Sequence, residues 1–175
     1  MTRVLVTGFE PFGENAVNPT QFLAEELGGV VLPVSYARAA AALREAIAAT
    51  DPDVVLCFGL AEKRDRITVE RYAHNMDEGS TTDNDASSGT GAEIEPGAPL
   101  ALASTLPVDV LVAALTHAGI PAEVSRDAGG FLCNHVFYVL LRSGCRGGFI
   151  HVPPLEVLPR EELLRAVRLL VAAVS

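Results

Sequence analysis

The stretch DVVLCFGL, residues 53–60, decides the fold class, because after its first residue it contains only apolar residues and glycine. Such a short apolar run is typical of a strand buried on both faces in the interior of a sheet. A second run, GGFIHVP at 147–153, has the same character. Two strands of this kind predict a sheet covered by helices on both sides.

The segments around these two runs alternate between strand and helix patterns. Runs enriched in β-branched residues predict strands at 3–9, 30–35, 53–60, 67–75, 122–129 and 147–153. Apolar residues at helical spacing predict helices at 18–27, 37–49, 107–119, 133–144 and 159–174. With 175 residues and 49% hydrophobic content, the chain has the material for one packed core. The sequence therefore predicts a single α/β domain spanning residues 1–175.

Composition excludes several classes of partner. Lys and Arg number 13 against 22 Asp and Glu, and the resulting net charge of −9 disfavours binding to nucleic acid. No segment approaches the ~20 apolar residues of a membrane helix, and the N-terminus lacks the apolar region of a signal peptide. Three irregularly placed cysteines fit neither a disulfide framework nor a zinc site, which predicts a reducing cytoplasm.

Two loops carry weaker signals. The turn TGFEPFG at 7–13 matches neither a dinucleotide fingerprint nor a phosphate loop, so no nucleotide cofactor is expected. The segment 76–99 is small and acidic with little to bury, and it is interpreted either as a mobile lid or as a tolerated excursion. Its Asp83-Asn84-Asp85 run lacks the complete spacing of a calcium loop, so no metal is expected.

Cys133, in GGFLCNHVFYVLL at 129–141, is the strongest candidate nucleophile. It begins an apolar helical stripe, so it can be interpreted as a core residue, as Cys57 is. The first turn of a helix also carries free N–H groups and a positive dipole end, which lower the pKa of a thiol and can hold an oxyanion. Cys145 is interpreted as a loop cysteine without a catalytic role.

A nucleophilic cysteine requires a base and a group that orients the base. His151 lies where an apolar strand ends, at the carboxyl edge where α/β sheets place active sites. His74 remains a rival, because alternation along one strand would put Glu70, Tyr72 and His74 on the same face. Glu70 is either a solvated charge or the orienting carboxylate. His117 and His135 are disfavoured, and the residues alone indicate a cysteine hydrolase.

Five segments together resemble the pyrrolidone carboxyl peptidases, also called type I pyroglutamyl peptidases. They are VLVTGFEPFG with NPT, FGLAEKRDRITVERYAHN, PGAPLALASTLPV, GIPAEVSRDAGGFLCNHVFY and GFIHVPP, and they occur in the order of the family. Each segment alone is a weak signal, whereas the five in order are specific. They extend over most of the chain from Arg3 to Pro153.

The resemblance implies a Cys-His-Glu triad at Cys133, His151 and Glu70, with Phe9 and Phe12 as walls of the substrate pocket. It implies removal of N-terminal pyroglutamate from peptides, in the cytoplasm and without metal or organic cofactor. It also implies an α/β/α sandwich around a twisted mixed sheet, in homo-oligomers of two or four subunits.

The sequence departs from the family pattern at Ser80, where the family usually has arginine in an Arg-Ile-Pro-Asp-Asn stretch. If that arginine supports the oxyanion or closes the pocket, its loss lowers the rate. Two alternatives to a working pyroglutamyl peptidase therefore stay open. One is a relative that binds small lactam or peptide ligands with little turnover, and the other is a cysteine hydrolase of another small amide.

Overall fold

A six-stranded mixed sheet forms the centre of the computed structural model, which describes residues 2–175. The strands lie in the order β2-β1-β3-β8-β4-β7. Their bounds are Val4–Phe9 (β1), Val30–Leu32 (β2), Val54–Leu60 (β3), Ile67–Glu70 (β4), Ala122–Ser125 (β7) and Gly147–Val152 (β8). Met1, the first residue of the predicted domain, lies outside the described residues.

Five helices cover the two faces of this sheet. They are Pro19–Glu26 (α1), Ala39–Thr50 (α2), Val108–His117 (α3), Leu132–Arg142 (α4) and Arg160–Val174 (α5). Helices α1, α3 and α5 pack on one face, and α2 and α4 pack on the other. The predicted α/β/α sandwich is confirmed.

The two apolar runs that predicted the sheet occupy its interior. β3 lies between β1 and β8, and β8 lies between β3 and β4. β8 is parallel to β3, with Gly59 paired to His151, but antiparallel to β4, where Thr68 pairs with the same histidine. The sheet is therefore mixed, as the resemblance implied, and the change of direction occurs at β8.

The predicted strand at 67–75 is wrong as a single strand. β4 ends at Glu70, and the chain then enters a separate two-stranded sheet of Tyr72–His74 (β5) and Ala101–Ala103 (β6). The buried side chain of Asn134 holds β5 by accepting from the backbone N–H of His74 and donating to its carbonyl, both at 2.8 Å. Because the chain changes sheet after Glu70, alternation does not extend from Glu70 to His74.

The acidic segment 76–99 has no helix or strand, yet it is anchored to the rest of the molecule. The carboxylate of Asp83 is buried and accepts the backbone N–H groups of Tyr36, Asp85 and Ser87. The backbone N–H of Asn84 donates to the carbonyl of Val34 at 2.9 Å. Of the two interpretations of this segment, these contacts favour the second: it is an ordered loop that crosses the end of β2 and not a mobile lid.

No helix within residues 2–175 combines the length and the apolar character that crossing a membrane requires.

Candidate active site

Cys133 is the second residue of α4, which begins at Leu132. Two glycines precede the helix, and Gly129 has a φ of +81°, a conformation that other residues adopt with strain. The N–H groups in the first turn of a helix have no acceptor within the helix, so those of α4 are available to a ligand beside the sulfur. The predicted position of this thiol at a helix N-terminus is therefore confirmed.

Gly59 gives the sulfur its position over the sheet. A Cβ atom at Gly59 would lie 2.6 Å from Sγ of Cys133 and 2.8 Å from the ring of Phe149, which is closer than real contacts allow. Since Gly59 pairs in register with His151, the sulfur rests on the sheet beside the histidine strand. Sequence reasoning missed this residue, although a glycine inside an apolar strand is a known sign of close approach.

His151 and Glu70 form a buried hydrogen-bonded pair. Nδ1 of His151 lies 2.7 Å from Oε1 of Glu70, and the side chains are 6% and 0% exposed. Thr68, two residues before Glu70, is the register partner of His151. The carboxylate therefore reaches the imidazole diagonally across antiparallel strands. With Nδ1 donating to the carboxylate, Nε2 is the nitrogen that can accept a proton.

Arg64 also contacts the carboxylate. Its Nη1 lies 2.5 Å from Oε1 of Glu70, and its Nη2 donates to the carbonyl of Asp127 at 2.9 Å. Burial pushes the pKa of Glu70 upward, but the hydrogen bond and the charge of His151, the nearby hydroxyl of Ser125 and the hydrogen bond from Arg64 together hold the pKa below its usual value. Glu70 is thus an anion in the folded protein. Sequence reasoning passed over Arg64, which lies in a charged run typical of a solvated loop.

The expected low pKa of Cys133 is wrong for the protein without substrate. Burial raises the pKa of the thiol to about 12, and the negative charge of Glu70 adds to the rise. The charge of Arg64 acts in the opposite direction without reversing the shift. The helix end favours the thiolate, as the sequence indicates, but the desolvation of the thiol by distant segments has the larger effect. Burial therefore favours the neutral thiol over the thiolate in the protein without substrate.

A small cavity lies against the sulfur and the imidazole. Its volume is about 130 Å³, and it is lined by Phe9, Phe12, Asn18, Val34, Leu60, Ala128, Phe131, Leu132, Cys133 and His151. Three phenylalanine rings give it largely apolar walls, and the rings of Phe12 and Phe131 lie 6.0 Å apart. An apolar cavity of about 150 Å³ holds benzene in another protein, so this one matches a single small ring.

The loop that carries Phe9 and Phe12 is fixed from two sides. The backbone N–H of Phe9 donates to the hydroxyl of Thr20 at 2.9 Å, and Asn18, which caps α1, donates to the carbonyl of Glu10. The carboxylate of Glu10 accepts the N–H of Val34 at the end of β2. The sequence placed the two phenylalanines in a pocket, and the structure brings both to the cavity wall beside Cys133.

The other histidines lie outside the cavity. His74 is exposed on β5, and His135 is bonded through Nδ1 to Asp77 at 2.9 Å. His117 is the last residue of α3, as expected. Because α4 turns His135 toward the 76–99 segment, it faces away from the sulfur.

The other two cysteines occupy the positions that the sequence predicted. Cys57 is fully buried in β3, and Cys145 lies in the turn after α4. Cys133 is accordingly the only cysteine on the cavity wall. Within residues 2–175, no group of three His, Cys, Asp or Glu side chains is arranged to bind a metal ion.

Ser80 is exposed and supplies no positive charge to the site. Its neighbour Thr81 lines a second, open pocket of about 320 Å³, together with Phe12, Lys63 and Arg64. This pocket shares Phe12, Leu60 and Phe131 with the smaller cavity, so it adjoins the cavity on the outside.

Comparison with known proteins gives one consistent result. The sequence model for pyroglutamyl peptidase matches residues 2–165. The chain is 45% identical over 166 residues to the pyrrolidone-carboxylate peptidase of Gloeobacter violaceus, with 86% of this chain and 81% of that protein covered. The matched residues 2–165 include every segment that supplies the cavity.

Two solved structures show the same fold. The pyrrolidone carboxyl peptidase from Thermococcus litoralis superimposes with a TM-score of 0.94 at 36% identity, covering 99% of this chain and 93% of that one. Pyroglutamyl peptidase I from Bacillus amyloliquefaciens gives a TM-score of 0.93 at 34% identity, with coverages of 99% and 96%. The architecture around the cavity is therefore shared with enzymes of that description.

Proposed function

The chain belongs to the pyroglutamyl peptidase family, and from this premise we propose that it removes N-terminal pyroglutamate from peptides with Cys133 as nucleophile, His151 as general base and acid, and Glu70 as the orienting carboxylate. One observation carries the assignment. Cys133 and His151 line one small apolar cavity, and the imidazole is hydrogen-bonded through Nδ1 to a buried carboxylate.

The first step forms a thioester. As Sγ of Cys133 attacks the carbonyl that joins the lactam residue to the next amino acid, the thiol proton passes to Nε2 of His151. Glu70 stabilises the imidazolium through Nδ1. The backbone N–H groups of the first turn of α4 donate to the oxyanion, a contribution of about 2.7–4 kcal/mol per donor.

Collapse of the tetrahedral adduct breaks the bond to the amine and completes the thioester, and hydrolysis then regenerates the free thiol. His151 returns its proton to the leaving amine, which departs as a peptide with a new N-terminus. Water then attacks the thioester with the imidazole as base, and free pyroglutamate leaves. Because burial raises the pKa of the Cys133 thiol, the thiolate forms during the attack by transfer of its proton to His151.

Selectivity follows from the cavity walls. Phe9, Phe12 and Phe131 enclose a space suited to a flat, uncharged lactam ring. A prolyl residue carries a charged ring nitrogen, and the desolvation of that charge against phenylalanine rings is costly. We therefore expect a preference for pyroglutamyl over prolyl amides on the order of 10² or more.

The decisive experiment compares Cys133→Ala with Cys145→Ala on a fluorogenic pyroglutamyl amide. Cys133→Ala should lower kcat/KM by about 10⁴-fold or more, because the covalent route is removed. Cys145→Ala should retain wild-type turnover. Equal rates in Cys133→Ala and wild type would exclude Cys133 as nucleophile.

Two further outcomes address the alternatives. Binding of a pyroglutamyl peptide without turnover would identify a ligand-binding relative, which the loss of arginine at Ser80 would explain. Equal cleavage of prolyl and pyroglutamyl amides would identify a broader amide hydrolase. We propose residues 1–175 as one catalytic domain. Cytoplasmic location and homo-oligomer formation remain predictions, which cell fractionation and light scattering can test.

A further inference from the structure

Arg64 links two parts of the site that come from different segments of the chain. Its Nη1 donates to Oε1 of Glu70 on β4, and its Nη2 donates to the carbonyl of Asp127, in the loop that leads into α4. The side chain of Arg64 is 29% exposed, whereas that of Glu70 is fully buried. One planar guanidinium thus holds both the carboxylate and the approach to the nucleophile helix.

The bond to Glu70 uses the same oxygen as the imidazole does. Oε1 of Glu70 contacts Nδ1 of His151 at 2.7 Å and Nη1 of Arg64 at 2.5 Å. The second oxygen, Oε2, is buried and has no hydrogen-bond partner. Nη1 of Arg64 also donates to the hydroxyl of Thr68 on the same strand. The orientation of the imidazole therefore depends on one oxygen whose position Arg64 fixes.

The contact between Arg64 and Glu70 also balances charge. A buried carboxylate without a compensating cation is strongly destabilised, and it draws a proton onto any neighbouring base. Within residues 2–175, Arg64 is the one arginine or lysine that forms a salt bridge with Glu70. With that salt bridge present, the charge of Glu70 is compensated while His151 is still neutral.

We propose that Arg64 is a positioning residue for the reaction: it fixes Oε1 of Glu70 and compensates the carboxylate, so that His151 stays free to accept the proton of Cys133. The proposal rests on the triad proposed above. It adds a fourth side chain, which touches neither the cavity nor the reacting atoms and acts through Glu70.

The charged and titratable groups around the pair come from several elements. Cys133 of α4 and Cys57 of β3 lie on the helix side, and both are neutral because burial raises the pKa of each thiol to about 12. Lys63 and Glu62 line the adjoining open pocket, whose wall Arg64 shares, and among the groups of that wall only Arg64 forms a salt bridge with Glu70. Arg64 is therefore the permanent charge that acts most directly on Glu70.

The test measures kcat/KM against pH for wild type, Arg64→Gln, Arg64→Lys and the matched control Arg66→Gln. Arg66 also carries a positive charge but pairs with Asp65 and Glu123. We expect Arg64→Gln to lower kcat/KM near pH 7 by about tenfold or more. The acid limb of its kcat/KM–pH profile should move about one pH unit to higher pH. Arg64→Lys should keep the limb in place with a reduced rate, and Arg66→Gln should resemble wild type.

A uniform loss of rate in Arg64→Gln, with the acid limb unmoved, would overturn the proposal and leave Arg64 a structural role. If Arg64→Gln fails to fold, Arg64→Lys provides the test. A displaced acid limb in Arg64→Lys, which retains the positive charge, would also overturn the proposal. Absence of wild-type turnover on the pyroglutamyl amide would instead refute the proposed function. If the wild type cleaves the amide but Arg64→Gln leaves the acid limb of the pH profile unmoved, only the inference about Arg64 is refuted.

Discussion

The two faces of the central sheet bury different kinds of side chain. The face against α1, α3 and α5 holds aliphatic residues and a single fully packed ring, Phe58. The face against α2 and α4 holds several aromatic rings and Cys57, and it continues into Glu70 and His151. The same strands build both faces by alternation, since Phe58 points to one side and Cys57 to the other. Both faces therefore stabilise the fold, but only one of them also carries the site.

The largest effect that this comparison predicts is on stability. Leu111 of α3 is fully buried on the aliphatic face, so Leu111→Ala should lower the free energy of unfolding by about 2–5 kcal/mol. Urea denaturation measures the change, with the 72%-exposed Leu100→Ala as a control of small effect. The kcat/KM of the folded Leu111 variant should match wild type, and a tenfold loss, about 1.4 kcal/mol, would show that the two faces are coupled.

A methyl group added on the face against α2 and α4 should lower the catalytic rate. Gly59→Ala places its Cβ 2.6 Å from the sulfur of Cys133, and displacement of a nucleophile by about 1 Å costs on the order of 10²-fold in rate. Gly147→Ala is the matched control, because its Cβ would meet the carbonyl of Val55 at 2.5 Å, away from the cavity. We expect Gly147→Ala to lose stability and keep its rate. Similar kinetic losses in both variants would show that the effect of Gly59→Ala does not come from its contact with the sulfur.

The smallest effect concerns pH and stability. Because the pKa of Glu70 is held below its usual value, the folded state binds the proton less tightly than the unfolded chain does. This stabilisation is complete above the unfolded pKa of about 4.3 and is lost as the pH falls through the lower native value. The difference in unfolding free energy between wild type and Glu70→Gln should therefore shrink from pH 6 to pH 3 in urea titrations. A constant difference would show that Glu70 is not the titrating group.

Local patterns predicted most of the elements but not their arrangement at the site. The apolar runs ending at Leu60 and Val152 identified interior strands, because burial on both faces leaves a signal in the sequence itself. The break after Glu70 left no such signal, since the buried amide of Asn134, 60 residues away, holds β5. Local sequence therefore kept His74 as a rival that the sheet topology removes.

Contacts between distant segments determine the features of the site that could not be predicted from the sequence. The choice of His151 over His74, and of Glu70 as the orienting carboxylate, required a family resemblance, because no spacing links residues 70, 133 and 151. The pKa of Cys133 depends on burial by distant segments, which no local pattern shows. The part played by Arg64 likewise depends on a contact with the Asp127 carbonyl, 63 residues further along the chain.

The place of β8 in the sheet has a consequence for how the protein assembles. β8 is the last strand to be synthesised, yet it lies between β3 and β4 and joins them. Until it arrives, β2-β1-β3 and β4-β7 are separate strand groups without a shared ladder of hydrogen bonds. A growing chain thus contains Cys133 before His151, so the activity proposed for this pair requires that β8 first insert between the two strand groups.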